Sequence, residues 1–119
     1  MIQTEKEIMR FGLKESTIDK IISVFVKYAK IEKILLYGSR ARGNYRNGSD
    51  IDLTLIGKYL NYSQLGSIES DIDDLFLPYS FDISIFKDID NPDLVDHINR
   101  IGVVIYEKDL KSINQQENI

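Results

Sequence analysis

Gly38-Ser39-Arg40-Ala41-Arg42-Gly43, five further residues, and then Ser49-Asp50-Ile51-Asp52-Leu53 form the stretch on which the reading of this chain turns. Lys33-Ile34-Leu35-Leu36-Tyr37 precedes it, a short apolar run that stops at Gly38. Its brevity and the glycine predict a buried strand ending in a turn. A strand that ends in a glycine turn and opens into a short helix leaves backbone N–H groups without intrahelical acceptors. Such groups make a phosphate site. Gly38 allows close approach of the backbone to a ligand. The Ser39 hydroxyl adds a hydrogen bond, and Arg42 or Arg40 pairs with phosphate oxygens. Arg42 bracing the turn against the carboxylates is the other reading of that residue.

Downstream, Asp50-Ile51-Asp52-Leu53-Thr54-Leu55 alternates. Residues two apart in a strand share a face, so Ile51, Leu53 and Leu55 point to the core and Asp50, Asp52 and Thr54 to the other side. Phe81-Asp82-Ile83-Ser84-Ile85 carries the same binary code, with Asp82 and Ser84 opposite the core. If the two strands lie side by side in suitable register, three carboxylates meet on one surface. They repel unless protons or a cation neutralise them. Magnesium suits such a set because it binds through a few carboxylates and completes its shell with water and substrate phosphates. An isolated Asp-x-Asp is common, and by itself reads as exposed residues of a half-solvated strand.

The remaining chain supplies the frame. Ser16 to Asp19 resembles a capping box. From there Ile18, Ile21, Ile22, Phe25, Val26 and Ala29 recur at helical spacing. Ser63 opens a second helix whose buried face comprises Leu65, Ile68, Ile72, Leu75 and Phe76, stopped by Pro78. Asn91-Pro92 sets a cap before a proline at the first helical position. The helix that follows buries Leu94, Val95, Ile98 and Ile101, and Val103 to Tyr106 forms a last strand. The order is helix, strand, short helix, strand, helix, strand, helix, strand. That is an α/β domain with helices packed on a small central sheet. The helix between the second and third strands permits parallel pairing. One domain over residues 1–119 is expected, with a polar, frayed tail over 107–119.

Composition narrows the chemistry. Among 119 residues there is no cysteine and one histidine, His97. Disulfides, thiol nucleophiles and cysteine-ligated metals are thereby excluded, and zinc is disfavoured. A metal here must be held by oxygen. The net charge of −4 speaks against general nucleic-acid binding. Arg40, Arg42 and Arg46 make a local basic spot that suits a small anionic ligand. No apolar run approaches the ~20 residues needed to span a bilayer, and Met1 to Arg10 lacks a signal-peptide core, so a cytoplasmic location is expected. Neither Gly-x-x-x-x-Gly-Lys-Ser/Thr nor Gly-x-Gly-x-x-Gly occurs, which removes the P-loop and dinucleotide-binding readings.

Gly38-Ser39, Arg42-Gly43 and Ser49-Asp50-Ile51-Asp52-Leu53, at this spacing, resemble the signature of the DNA polymerase β-type nucleotidyltransferases, above all their minimal, MNT-type members. Asp82 falls where that family has its third carboxylate. The resemblance implies a polymerase β palm-like fold with a small mixed sheet flanked by helices. It also implies roles. Gly38 and Ser39, with Arg42 and Ser49, hold the phosphates of a nucleoside triphosphate. Asp50 and Asp52 bind two magnesium ions, for which manganese can substitute. Asp82 completes the second metal site and helps deprotonate the acceptor hydroxyl. A nucleoside monophosphate, AMP from ATP, is transferred and pyrophosphate released. MNT-type proteins typically pair with a HEPN-domain protein, several such pairs being toxin and antitoxin. The resemblance makes this chain the antitoxin that adenylylates its partner, in a homo- or hetero-oligomer.

Two competing functions remain open at this point: a non-catalytic module that binds nucleotide or partner, and a transferase for a small molecule such as an antibiotic. Three clustered acids disfavour the module, and the absence of an evident acceptor domain disfavours the antibiotic enzyme. His97 reads as a boundary residue of its helix rather than an acid or base. Asp71, Asp73 and Asp74 read as a solvated helix face. Tyr45 and Arg46, in the loop between the motif halves, are near enough to meet a base or an acceptor.

Overall fold

The computed structural model describes residues 8–108. A two-stranded hairpin, β1 (Met9–Arg10) and β2 (Leu13–Lys14), leads directly into helix α1 (Glu15–Phe25). Strand β3 (Lys33–Tyr37) and short helix α2 (Gly38–Arg42) follow, then β4 (Ile51–Ile56), α3 (Tyr62–Asp73) and β5 (Phe81–Ile85). A 3-10 turn (Phe86–Asp88) precedes α4 (Pro92–Ile101) and β6 (Val103–Glu107). The main sheet has the order β5-β4-β3-β6. Strand β4 pairs parallel with β5, the crossover being α3, while β3 runs antiparallel to both β4 and β6. The α/β class and the small mixed sheet agree with the sequence.

The sheet has two unlike faces. Ile34, Leu36, Ile51, Leu53, Leu55, Ile83 and Ile85 bury one face against Ile18, Ile21, Val24 and Phe25 of α1 and Ile68 and Ile72 of α3. These residues alternate along their strands and recur at i, i+3, i+4 along their helices, so a single apolar layer forms. The opposite face carries Tyr37, Asp52, Thr54, Asp82 and Ser84. Helix α4 approaches β3 and α2, and its Ile98 is buried outside the main cluster.

Several local expectations need correction. The Ser16 capping box does not open α1: Lys14 is the cap residue, and its side chain makes no capping hydrogen bond. The helix starts straight off the hairpin, and the Glu15 N–H donates to the Ile8 carbonyl at 2.8 Å. It ends at Phe25, leaving Val26 and Ala29 exposed, because the chain turns there to bring Ile31 into the core. Helix α3 starts one residue before Ser63, with a true capping box between Asn61 and Gln64. Phe76 lies beyond its end at φ 53° and is 88% exposed, so the helical period no longer reaches it. Of the α4 residues expected inside, only Ile98 is buried, and Leu94, Val95 and Ile101 are half-buried. Glu107 does not belong to a frayed tail: it closes β6 and pairs with Lys33 at 3.4 Å. Lys108 also donates to the Glu32 and Ala29 carbonyls. The rest of that tail, 109–119, lies outside the described residues. The hairpin β1–β2 has no strong sequence signal, since strands of two residues show no period. Among the described residues no helix is long and apolar enough to cross a membrane.

Candidate active site

Strands β4 and β5 place Asp52 directly opposite Asp82, the register running Ile51↔Phe81, Asp52↔Asp82, Leu53↔Ile83. In-register residues of a parallel pair point to the same side, so the two carboxylates share a face. Asp50 stands one residue before β4. Asp50 and Asp82 are exposed, whereas Asp52 is partly buried. Burial pushes the Asp52 carboxyl above its ordinary value, and the negative charges of Asp82 and Asp50 push it further. Asp52 therefore feels both other acids, and the register puts it on one face with Asp82. Among the described residues, however, no three acidic or imidazole side chains already surround a common point.

Gly38 lies against this acidic face. Tyr37 pairs with Asp52 across β3 and β4, and the next residue, Gly38, adopts φ +74°. A Cβ built on Gly38 would run into the Asp52 carboxylate. Both the left-handed backbone and the contact demand glycine. The glycine thus joins the turn to the acids. Its own N–H donates to His97 Nε2 of α4 at 3.3 Å. The donors open to a ligand at this turn are consequently those of the residues after it, starting with the Ser39 N–H and hydroxyl. Five residues of α2 carry little macrodipole, so any phosphate affinity must come from these groups themselves.

The arginines divide their work. Arg40 is 2% exposed. Its Nε and Nη2 donate to the Ser49 carbonyl at 3.1 and 2.9 Å, and its Nη1 donates to the Phe11 carbonyl at 2.9 Å. The guanidinium also lies 5.5 Å from the Tyr45 ring and 5.2 Å from the Tyr79 ring. Arg40 is thus the brace: buried, with three of its five N–H groups on backbone carbonyls, it is not presented to a phosphate in solvent as the sequence reading allowed. Arg42 is exposed, which leaves it able to meet an anion. Ser49 works within the loop: its hydroxyl accepts from the Arg46 N–H at 2.8 Å and its carbonyl receives Arg40. Tyr45 packs on the hairpin turn at Gly12, where a Cβ would strike its ring.

Behind the acids the same face is closed by polar side chains. Thr54 is fully buried, and its hydroxyl accepts from the Ser84 hydroxyl at 3.0 Å. Tyr37 is 6% exposed, with its phenol pushed above 10.0 by burial. A hydrogen bond with Ser84 pulls the other way, and the charges of Asp82 and Asp52 raise it again. Tyr37 therefore stays a neutral hydroxyl beside two acids. Its ring also meets His97 edge-on, with centroids 6.2 Å apart and planes at 81°. His97 is the residue that sequence reasoning missed. It comes from a helix 59 residues further on, and nothing in its spacing reveals the contact. Asp71 too departs from expectation, since it accepts the Tyr28 hydroxyl at 2.5 Å rather than facing only solvent.

A concavity of about 360 Å³ lies between α3 and the edge strand β5 and is lined by Glu69, Asp73, Tyr79 and Phe81 among others. It holds none of the residues expected in the site.

Solved structures share this fold. A toxin–antitoxin crystal structure with AMP-PNP contains a chain that matches with TM-score 0.64 at 17% identity, over 85% of this chain and 87% of that one. An MntA–HepT toxin–antitoxin structure matches with TM-score 0.61 at 15% identity, over 88% of each chain. The tri-AMPylated Shewanella oneidensis HEPN toxin in complex with MNT antitoxin matches with TM-score 0.60 at 16% identity, over 87% of this chain and 76% of that one. At such identities these structures establish a shared fold. No curated protein sequence matches. The family described as polymerase beta, nucleotidyltransferase matches residues 19–111. With the glycine turn seated on an acid pair in that frame, the chain belongs to the polymerase beta nucleotidyltransferase family.

Proposed function

We propose that this chain transfers a nucleoside monophosphate, AMP from ATP, to a hydroxyl on a HEPN-domain partner, and so acts as the antitoxin of a toxin–antitoxin pair. The observation that carries this reading is the register that sets Asp52 opposite Asp82 while Asp52 packs on Gly38. A carboxylate pair for metal and a turn for phosphate are then parts of one surface. The neighbours support the substrate and partner: one toxin–antitoxin structure holds AMP-PNP, and another contains an AMPylated HEPN toxin.

Asp50, Asp52 and Asp82 fit magnesium by their chemistry. The donor set is all carboxylate oxygen, and the Asp52 carboxyl, raised first by burial and then by the charges of Asp82 and Asp50, stands where a cation would relieve the negative charge. When bound, the metal supplies charge neutralisation at the phosphates and an acidified acceptor hydroxyl. The chain's own groups do the rest. Ser39, through its N–H and hydroxyl, holds the terminal phosphates, with Arg42 pairing to their outer oxygens. Ser49 shapes the loop by accepting the Arg46 N–H on its hydroxyl. Asp82 accepts the proton of the attacking hydroxyl as its oxygen bonds to the α-phosphorus. The bond from that phosphorus to the bridging oxygen breaks, and pyrophosphate leaves. Orientation and charge stabilisation supply most of the acceleration.

The test is transfer of label from α-labelled ATP, with magnesium, to a HEPN-domain protein encoded beside this chain. The expected result is a labelled partner, and none with Asp52→Asn. Triphosphate binding without transfer to that partner would reject the enzyme in favour of a binding module.

A further inference from the structure

His97 touches the phosphate turn from outside it, and two observations define how. Its Nε2 accepts the Gly38 N–H at 3.3 Å, and its ring meets the Tyr37 ring edge-on. Both contacts fall on the two sides of one peptide bond, Tyr37–Gly38. An imidazole that accepts through Nε2 is neutral and carries its proton on Nδ1. The same Gly38 is limited on another side by the Asp52 carboxylate. A glycine at φ +74° has wide conformational freedom when unsupported. Here its N–H is fixed by α4, its Cα by β4, and the residue before it by the His97 ring.

We infer that His97 is a positioning residue for the triphosphate: it holds the Tyr37–Gly38 peptide so that the Ser39 end of the turn faces the phosphates. This inference rests on the nucleotidyltransferase function proposed above. It also gives α4 a task beyond packing, since α4 contacts both β3 and α2. The Gly38 N–H is then a structural donor, directed to the protein, and the ligand meets the donors after it. Loss of the imidazole frees the glycine peptide to turn, and ordering it again opposes nucleotide binding.

Three proteins decide the matter: wild type, His97→Gln and His97→Leu. Glutamine can present an acceptor oxygen near the position of Nε2, whereas leucine fills space without accepting. Affinity for α,β-methylene-ATP with magnesium is read by calorimetry, and the Gly38 amide is followed by hydrogen exchange without ligand. In His97→Leu the affinity should fall about three- to tenfold, the size expected for one lost hydrogen bond. Gly38 exchange should accelerate in parallel, and transfer at saturating nucleotide should stay within about twofold of wild type. His97→Gln should restore both affinity and protection. Equal affinity of wild type and His97→Leu overturns the inference alone. A His97→Gln protein as weak as His97→Leu, with both folded by circular dichroism, overturns it also, since a packing role would then suffice. If wild type binds no triphosphate, the proposed function fails and this inference fails with it.

Discussion

Asp52 is the residue at which fold and chemistry oppose each other. Its carboxyl is raised above the unfolded value of 3.8 by burial first, and then by Asp82 and Asp50. A raised folded-state value means that ionisation works against folding. The penalty is absent below the unfolded value, grows as pH rises through the raised folded value, and is complete above it. Asp52→Asn should therefore melt higher than wild type at about pH 7 in the presence of a chelator, and the gain should vanish on acidification below the unfolded value. Calorimetric melting across that pH range checks both statements. Magnesium should raise the melting temperature of wild type and leave Asp52→Asn nearly unmoved. Transfer activity of the same variant should drop by about 10²-fold or more, the scale found when a main electrostatic group is removed. Gly38 answers to the opposite logic. Gly38→Ala adds strain at positive φ and a collision with Asp52, so it should cost about 1–2 kcal/mol in urea denaturation and weaken triphosphate binding.

Among the elements, the motif loop between α2 and β4 is held more firmly than its exposed residues suggest. Arg40 ties it through the Ser49 carbonyl and ties the N-terminal hairpin through the Phe11 carbonyl. A buried guanidinium with three such bonds is not interchangeable with an ammonium. Arg40→Lys should lower stability by about 2–3 kcal/mol, measured from the urea midpoint, because two carbonyls lose a matched donor. It should also loosen the loop, seen as faster amide exchange of Ser49 and Arg46. The turn that follows α1 is tied to α3 by the Tyr28 hydroxyl, which donates to Asp71. That hydrogen bond, then burial and the charge of Asp71, push the Tyr28 phenol up to about 12. Tyr28→Phe should lose about 1 kcal/mol by the same measurement without affecting nucleotide binding.

For the whole molecule, the sheet order makes the site. Strand β4 sits between β3, which delivers the glycine turn, and β5, which delivers Asp82. The two faces of that sheet are specialised by alternation alone: one is a dry apolar layer under α1 and α3, the other carries the acids. A register slip of one residue between β4 and β5 would send Asp82 to the core face and Ile83 to the ligand face. Such a slip is strongly opposed because Ile51, Leu53, Leu55, Ile83 and Ile85 are all buried in the correct register.

Much of this was legible in the residues themselves. The period-2 code of β4 and β5 specified which side each aspartate takes, because a strand cannot turn one side chain without its neighbours. Gly38 to Leu53, in one gapless spacing, pointed to the family, since a glycine turn and an aspartate-bearing strand at a set separation form a local unit. Other features depended on distant parts of the chain. The capping-box reading at Ser16 failed because the hairpin brought the Ile8 carbonyl to the start of α1. The fate of Phe76 was settled by where α3 stops, and that of Leu94 and Val95 by how little of the protein lies over α4. Arg40 and Arg42 are equivalent in sequence and opposite in burial, one facing the hairpin and the other solvent. His97 reached Gly38 only through the packing of α4 against β3 and α2. The sequence by itself determined the acids, the turn and the class of fold, because local periodicity and stereochemistry carry them. Tertiary structure alone decided which groups are already bonded within the protein and which are left for a ligand, because those partners come from segments that no local pattern connects.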